Sequence, residues 1–292
     1  MDDHEWLAER FQEHRGHLKA VAYRMLGSLT EADDAVQDAW LRLTRSDTNE
    51  IDNMRAWLTT VVARVCLNML RARNVRREES LDAHVPDPLV ASTDALDPEQ
   101  QALLADSVGL ALQVVLDTLA PAERLAFVLH DMFEVPFEQI ATMVDRSPEA
   151  ARQLASRARR RVQGGARVPD ADLQKQRAVV DAFFNAARGG NFDGLLALLH
   201  PDAVLRSDGG AALAAVTRVV RGAEAIARSA MMFARASAIV RPALVNGAAG
   251  VIISEHGRPV TIMGFTVSDG RIVEIDAVSD PDRLGQLDVA TQ

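Results

Sequence analysis

The sequence predicts a multidomain protein whose first part is all-α and whose last part is α+β. Before Pro169 apolar residues recur at helical spacing, whereas after it short runs of strand-forming residues are separated by turns such as Asp269-Gly270. A chain of 292 residues is long enough for two or three domains. Helices followed by antiparallel strands indicate an α+β domain, so we expect the C-terminal part to be a cone with room for a pocket.

Composition excludes several classes of protein. No apolar run approaches the ~18 residues of a membrane span, and the acidic start M-D-D-H-E-W lacks the basic and apolar parts of a signal peptide. Cys66 is the single cysteine and cannot form an internal disulfide, so we expect a buried thiol in a cytoplasmic protein. The net charge of −9 argues against a protein that holds DNA unaided, because non-specific affinity comes mostly from phosphate neutralisation.

The stretch from Phe137 to Val162 predicts a helix, a tight turn and a second helix, with Ser147 as N-cap and Pro148 at the first helical position. At 100° per residue one face of the second helix is apolar, made of Ala151, Leu154, Ala155, Ala158 and Val162. The opposite face carries Glu149, Arg152, Gln153, Ser156, Arg159 and Arg160. Such a helix can enter the major groove of DNA, where Arg and Gln read base edges. The alternative is a solvated arginine face on an ordinary helical hairpin.

A helix near the N-terminus, E-A-D-D-A-V-Q-D-A-W-L-R-L, has one apolar and one acidic face. The residues expected inside are Ala35, Val36, Ala39, Trp40 and Leu43. The acidic face carries Glu31, Asp33, Asp34, Gln37 and Asp38. This face is either a solvated surface or a docking surface for a basic partner.

A further helix is predicted to open at Asn53 and to run into a basic cluster, made of Arg71, Arg73, Arg76 and Arg77. An aromatic residue near one end and arginines at the other suit a surface that separates nucleic-acid strands. Taken alone, Trp57 is more typical of a core residue, beside Val61, Val62, Val65 and Leu67.

The helical pattern lapses over 79–98, where Pro86, Pro88 and Pro98 predict an extended linker. Helices are predicted again over 106–119 and 121–133. In the C-terminal part, helices are expected at 179–187, 192–199 and 223–236. Strands are expected at 203–206, 217–220, 239–245, 250–255, 260–267 and 271–277.

With these residues in view, the chain resembles the extracytoplasmic-function (ECF) sigma factors of bacterial RNA polymerase, and more narrowly the subgroup with a C-terminal SnoaL-like domain. The acidic helix is similar to the family's polymerase-binding helix, and D-N-M-R-A-W-L-T-T-V-V-A-R to its promoter-melting segment. The segment R-L-A-F-V-L-H-D-M-F-E-V-P-F-E-Q-I-A, with S-P-E-A-A-R-Q-L-A-S-R-A-R-R-R after it, matches the domain that reads the minus-35 element. The resemblance covers nearly the whole chain.

The resemblance implies two all-α sigma domains, the second with a helix-turn-helix, followed by an α+β SnoaL-like cone. The implied boundaries are 1–78 for sigma region 2, 79–105 for a linker, 106–166 for sigma region 4 and 172–285 for a regulatory SnoaL-like domain. The implied partners are core RNA polymerase and promoter DNA, with no membrane. Core polymerase would supply much of the affinity for DNA, which accounts for the net negative charge of the chain.

The family's roles carry over to matching positions of this sequence. The implied polymerase-binding residues are Asp33, Asp34, Gln37 and Asp38. The implied contacts to the minus-10 element are Asn53, Arg55, Trp57, Asn68, Arg71, Arg73 and Arg76. The implied contacts to the minus-35 element are Ser147, Glu149, Arg152, Gln153, Ser156, Arg157 and Arg160.

Three short motifs of the subgroup, W-L-P-E-P, D-G-G-G-K and N-P-D-K-L, stand here as H-V-P-D-P, D-G-G-A-A and D-P-D-R-L, so a tryptophan and a lysine are replaced. The resemblance implies that the linker and the C-terminal domain touch through these motifs. The implied regulatory contacts are Pro86, Asp87, Pro88, Asp208, Gly209, Gly210, Asp280, Pro281, Asp282, Arg283 and Leu284.

The competing hypothesis is an enzyme, because SnoaL-like domains include cyclases and resemble ketosteroid isomerase. Its acid–base candidates would be Asp202, Asp208, Asp276, His200 and His256. The only tyrosine, Tyr23, lies in the first domain, so no tyrosine is at hand as an oxyanion donor. We therefore expect no catalytic residues, no metal and no cofactor. A third hypothesis keeps the sigma function and makes the C-terminal domain a sensor of an unknown small molecule.

Overall fold

The structure is a computed structural model that describes residues 3–46, 51–76, 83–91, 109–165, 169–233 and 238–287. The chain forms two compact units. The first comprises Met1–Glu79, Gln101–Asp106 and Val115–Gly165, and the second Ser80–Gln100, Ser107–Val114 and Ala166–Gln292. Within the described ranges, no helix combines the length and apolarity that a membrane span needs.

The first unit begins with three helices, α1 (Asp3–Leu26), α2 (Leu29–Leu43) and α3 (Met54–Arg76). Gly27 takes a left-handed conformation, with φ of 70°, at the end of α1, and the Ser28 hydroxyl then accepts a hydrogen bond from the Glu31 amide to start α2. The Asn53 side chain caps α3 by accepting from the Ala56 amide at 3.0 Å. Helix boundaries here follow from local capping, and α3 starts from its cap at Asn53 as predicted.

The same unit continues with the end of α4 (Leu110–Asp117), α5 (Pro121–Phe127), a π-helical turn (Val128–Met132), α6 (Phe137–Val144) and α7 (Pro148–Gly165). The division between the units falls within α4, after Val114. Arg124 of α5 is only 2% exposed. Its guanidinium donates twice to the Arg24 carbonyl, at 3.0 and 2.8 Å, and pairs with Asp117. Because a buried charge is costly unless it is paired, Arg124 fixes α1, α4 and α5 together.

The second unit is built on one seven-stranded sheet, in the order β1-β4-β5-β6-β7-β2-β3. The strands are β1 (Val90–Ala91), β2 (Leu199–Asp208), β3 (Arg218–Arg221), β4 (Ile239–Val245), β5 (Ala248–Glu255), β6 (Arg258–Ser268) and β7 (Arg271–Val278). All pairings are antiparallel except that of β2 with β7, which is parallel. The helices are α8 (Leu173–Arg188), α9 (Phe192–Leu198), α10 (Ala223–Phe233) and α11 (Pro281–Gln286), with a 3-10 turn at Ala214–Val216.

The two faces of this sheet carry separate cores. Val251, Phe265 and Ile275 pack with residues of α8, α9 and α10 on one face. Alternate strand residues such as Ile252 and Val278 point to the other face, where Val85, Leu110 and Leu284 cover them. Both faces are therefore buried in places, and part of the predicted linker belongs to the second core.

Several sequence predictions are corrected at the level of elements. Strand β2 begins at Leu199, not 203, and α8 begins at Leu173, not 179. Helix α10 ends at Phe233, and residues 234–236 of the predicted helix lie outside the described residues. Trp40 and Trp57, expected in the core, are half-buried; Trp40 packs on Phe11 with ring centroids 5.1 Å apart. The expected order, an all-α part with a helix-turn-helix followed by an α+β part, is confirmed.

Candidate functional site

The helix-turn-helix has the two-faced second helix that the sequence predicts. Asp145 ends α6 in a left-handed conformation, with φ of 54°, and the Ser147 hydroxyl accepts a hydrogen bond from the Ala150 amide at 3.2 Å to cap α7. The small side chains of α7 that face the protein are fully buried: Ala151, Ala155 and Ala158. On the outer face five side chains are exposed: Glu149, Arg152, Gln153, Ser156 and Arg160. The outer face of α7 thus presents guanidinium, amide and hydroxyl groups to solvent, together with the Glu149 carboxylate.

The arginines of α7 differ in how firmly the protein holds them. Arg152 contacts Glu138 at 3.2 Å and Glu149 at 3.8 Å, and both carboxylates are largely exposed. Arg157 and Arg161 instead share Glu123, at 2.8 and 2.7 Å, whose side chain is only 8% exposed. An exposed ion pair is exchanged at little cost, whereas uncovering a buried carboxylate is expensive. Arg152 is therefore more available to an external anion or base than Arg157.

The acidic face of α2 is exposed in its middle. Asp34 and Gln37 are exposed, while Asp33 pairs with Lys19 at 3.0 Å and Asp38 with Arg42 at 2.9 Å. All four predicted residues thus share one face of α2. Asp33 and Asp38 are paired with basic residues, so the exposed carboxylate of Asp34 keeps the centre of this face acidic.

The residues of α3 that were predicted to contact the minus-10 element fall into two groups. One group lies at the start of the helix, and the other forms a row along one side of it. Asn53 caps the helix, and Arg55 contacts the His17 ring at 3.3 Å. At 100° per residue, Trp57, Asn68 and Arg71 fall within about 60° of one another. Asn68 and Arg71 are exposed and Trp57 is half-buried. These three side chains form one row along the helix.

Arg64 lies in this same row but was not predicted. It stands seven residues after Trp57 and four before Asn68, a spacing that could have identified it. Its guanidinium donates to the Thr142 carbonyl of α6 at 3.1 Å. Helix α6 of the helix-turn-helix therefore contacts the row within the first unit.

Arg73, predicted to contact DNA, is engaged inside the protein. Its guanidinium pairs with Glu31 and donates to the Leu26 carbonyl at 2.9 Å. These bonds join the end of α1, the start of α2 and α3, so Arg73 stabilises the three-helix packing and is turned away from the exposed row. The side chain of Arg76 lies outside the described residues.

Arg283 of α11 joins the linker to the C-terminal domain through three donors. Its Nε donates to Asp87 Oδ1 at 2.7 Å, Nη1 to Asp208 Oδ2 at 2.9 Å and Nη2 to the Val85 carbonyl at 2.6 Å. A planar guanidinium can satisfy three acceptors in this way, which an ammonium cannot do with the same geometry. We call Asp87, Asp208, Arg283, His84 and Val85 the linker clamp.

Asp208 is the second centre of the linker clamp. Its Oδ2 also accepts from His84 Nδ1 and from the Val85 amide, each at 3.0 Å, and its Oδ1 accepts from the Gly210 amide. Burial alone would raise the pKa of Asp208, but the His84, Val85 and Gly210 hydrogen bonds and the Arg283 charge hold it well below its usual range. His84, which replaces a tryptophan of the motif, thus supplies a polar contact in its place.

The glycines of the D-G-G motif allow this close packing. A Cβ on Gly209 would lie 2.5 Å from the Leu213 carbonyl oxygen, and one on Gly210 would clash with Asp280 Oδ2. Gly210 also has a left-handed φ of 61°. Asp280 caps α11 by accepting from the Asp282 amide at 2.9 Å, with Pro281 at the first helical position. The two motifs therefore meet without room for larger residues.

The remaining predicted linker residues are also held by the C-terminal domain. Pro86 and Pro88 are buried, as is Leu284 of α11. The Leu89 amide donates to the Asn246 side chain at 2.9 Å, and β1 pairs with the outer edge of β4. Residues 83–91 thus form part of the C-terminal unit along their whole length.

A cavity of about 460 Å³ lies on the other face of the same sheet. Its lining is mostly apolar and includes Phe183, Phe184 and Ile275. None of the five acid–base candidates, Asp202, Asp208, Asp276, His200 and His256, belongs to this lining. Asp276 pairs with Arg206 at 3.1 Å. Burial raises the pKa of Asp276 to about 6, against the lowering effect of Arg206.

Comparison with known proteins identifies both helical regions. The Sigma-70 region 2 family matches residues 10–76, and the Sigma-70 region 4 family matches residues 109–162. The chain is 36% identical over 287 residues to the ECF RNA polymerase sigma factor SigJ of Mycobacterium tuberculosis, covering 94% of this chain and 92% of that protein. It is 31% identical to the probable ECF RNA polymerase sigma factor SigI of the same species, covering 98% of each.

The fold of this chain also agrees with that of a solved structure over nearly its whole length. The crystal structure of the M. tuberculosis extracytoplasmic-function sigma factor SigJ superposes with a TM-score of 0.77 and 35% identity, covering 97% of this chain and 99% of that one. The agreement extends through the C-terminal domain as well as the two sigma regions. The chain therefore belongs to the extracytoplasmic-function sigma factors of bacterial RNA polymerase.

Proposed function

We propose that this sigma factor binds core RNA polymerase through α2, reads promoters through α3 and α7, and is regulated by the linker clamp. Sigma factors direct polymerase to promoters, so the chain acts where core polymerase is, in the cytoplasm. The observation that carries the regulatory part is the three-way hydrogen bonding of Arg283 to Asp87, Asp208 and Val85.

The proposed polymerase contact is the acidic face of α2. Asp34 and Gln37 are exposed there, and Asp38 is held by a single exposed pair with Arg42 that a stronger basic partner can replace. Complementary charge of this kind raises the rate of association and fixes orientation. The face is therefore suited to a basic surface on the polymerase.

The proposed promoter contacts are divided between two helices. On α7, the side chains of Arg152, Gln153 and Ser156 are exposed and would contact base edges. Arg160, also exposed, would contact a backbone phosphate. On α3, Asn68 and Arg71 extend the row that begins at Trp57, which suits a single strand with stacked bases. Arg157 and Arg73 are held by carboxylates inside the protein and support these surfaces.

The proposed regulation acts on the chain between the two DNA-reading regions. Residues 83–91 follow α3 and precede α4 in sequence, and they are bound to the C-terminal domain by the linker clamp and by β1. Fixing these nine residues constrains the separation that regions 2 and 4 can adopt on a promoter. The C-terminal domain then biases which promoters are engaged without touching DNA.

We further propose that the C-terminal domain regulates and does not catalyse. None of the five acid–base candidates named from the sequence lines the cavity, and two of them, Asp208 and Asp276, pair with Arg283 and Arg206. A general base must reach its substrate's proton, which neither can do from the opposite face of the sheet. Glu255 contributes a carboxylate to the lining, but no histidine or tyrosine stands among the lining residues that the structure describes to act with it.

Transcription with purified core polymerase on a cognate promoter tests this function. The three proteins compared are the full chain, the chain cut after Arg167 and the chain lacking the tail from Ser279 onward, at matched concentrations. We expect all three to support promoter-dependent transcription, with both truncations changing its level several-fold. Equal activity from all three would refute the regulatory role, and no promoter-dependent transcript from any of them would refute the sigma function.

A further inference from the structure

The cavity of the C-terminal domain has mostly apolar walls, and Arg218 and Ser229 form one of the polar places in its lining. Its walls come from α8, α10 and the sheet, with the aromatic rings of Phe183, Phe184 and Phe233 among them. Leu213 and Phe233 belong to the lining yet are 43% and 46% exposed, so the cavity has an apolar entrance. A volume of about 460 Å³ lies within the range of small-molecule sites.

One polar corner is formed by Arg218 and Ser229. Arg218 Nη2 donates to Ser229 Oγ at 3.0 Å, and the guanidinium lies over the Phe233 ring, 5.1 Å from its centre. Both partners are uncharged. Arg206 and Arg283, the half-buried arginines on the opposite face, each pair with two carboxylates instead. Among the described residues no carboxylate forms a salt bridge with Arg218.

We propose that this cavity binds a small hydrophobic molecule that carries one anionic group, with the anion against Arg218 and Ser229. Apolar walls give affinity to a hydrocarbon body, and a guanidinium in a poorly solvated corner gives a strong charge-assisted hydrogen bond to a carboxylate or similar group. Arg188 and Glu255 also line the cavity, so the lining as a whole carries one net positive charge. A neutral or cationic ligand would leave the Arg218 charge without a counterion.

The cavity and the linker clamp meet at strand β2 and at Ser279, the residue after β7, which gives the ligand a route to the proposed regulation. Ser207 lines the cavity, and the next residue, Asp208, holds Arg283 on the other face. Ser279 also lines the cavity, and its amide donates to the Asp208 carbonyl at 2.7 Å. A ligand that shifts β2 or the end of β7 therefore acts directly on the backbone of Asp208.

Titration calorimetry on the full chain, without polymerase or DNA, tests the proposal. The probes are decanoate and decanol, which share a hydrocarbon tail and differ in charge. We expect decanoate to bind about tenfold or more tightly than decanol, since hydrogen bonds to charged groups contribute that much. Arg218→Met should remove this preference and leave decanol binding unchanged. Arg221→Met, on the same strand but exposed and outside the lining, is the matched control and should behave as the unaltered chain.

Ala230→Phe, which fills part of the cavity from α10, locates the site independently of charge. It should weaken both probes about equally. Equal affinity of the unaltered chain for decanoate and decanol, no binding of either, or a preference for decanoate that survives Arg218→Met would overturn the proposal. Because these measurements do not involve transcription, their failure would leave the sigma function and the linker clamp standing.

Discussion

Replacing Arg283 by alanine removes the centre of the linker clamp and should destabilise the C-terminal unit. The side chain is 19% exposed, and its loss leaves the carboxylates of Asp87 and Asp208, 12% and 7% exposed, without their cation. Removing one partner of a buried ion pair costs about 3–5 kcal/mol, and we take the lower end, about 3 kcal/mol, because Asp208 keeps three other donors. Arg283→Lys retains the positive charge but not the planar guanidinium with its three donors, so we expect an intermediate loss of unfolding free energy.

The assay is denaturant unfolding, followed together with hydrogen exchange at the Val85 and Leu89 amides. Val85 donates to Asp208 and Leu89 to Asn246, so their exchange reports directly on attachment of the linker. Arg258→Ala, at an exposed position of β6, is the control and should change the unfolding free energy by less than about 0.5 kcal/mol. A loss below about 1 kcal/mol in Arg283→Ala, with unchanged exchange at both amides, would refute the reasoning.

Three further predictions concern the other surfaces. Reversing Asp34 and Asp38 to lysine should weaken binding to core polymerase about tenfold in a pull-down, with the exposed pair Asp181 and Asp193 as control; unchanged affinity would dismiss the α2 face. Arg152→Ala should cost about 1–3 kcal/mol on a matched minus-35 site in a binding assay, and an equal loss on a scrambled site would reduce Arg152 to a phosphate contact. Asp276 keeps its proton in the folded state up to pH about 6 but loses it near 3.8 when unfolded, so stability should fall by about 3 kcal/mol as pH rises through this window. Asp276→Asn should remove that fall, and an identical pH profile in both proteins would contradict it.

Local physics accounts for the elements that could be predicted from the sequence alone. Ser147 and Pro148 start α7, and the spacing of Ala151, Ala155 and Ala158 sets its buried face, because caps and helical periodicity act over a few residues. Strands β4 to β7 follow from alternation and glycine turns for the same reason. The resemblance to a family then placed the three motifs of the C-terminal domain and linker near one another.

The parts that were not predicted depend on contacts distant in sequence. Strand β1 has no local signal and exists because it pairs with β4, and Leu89 meets Asn246 from 157 positions away. Arg124 and Arg73 look like surface arginines in sequence, yet each is committed to a carbonyl and a carboxylate of other helices. Periodicity cannot show which arginine is paired, since the partner is brought to it only by tertiary packing.

The central claim, that the C-terminal domain regulates this sigma factor by fixing the linker, is tested most directly by transcription across promoters of different spacing. Run-off transcription with core polymerase would be measured on promoters whose minus-35 and minus-10 elements are separated by one base pair more or fewer. The full chain should show a sharp optimum of spacing, and Arg283→Ala should broaden it while Arg258→Ala does not. The same spacing profile for Arg283→Ala and the full chain, with the Val85 amide shown to be released, would contradict the claim.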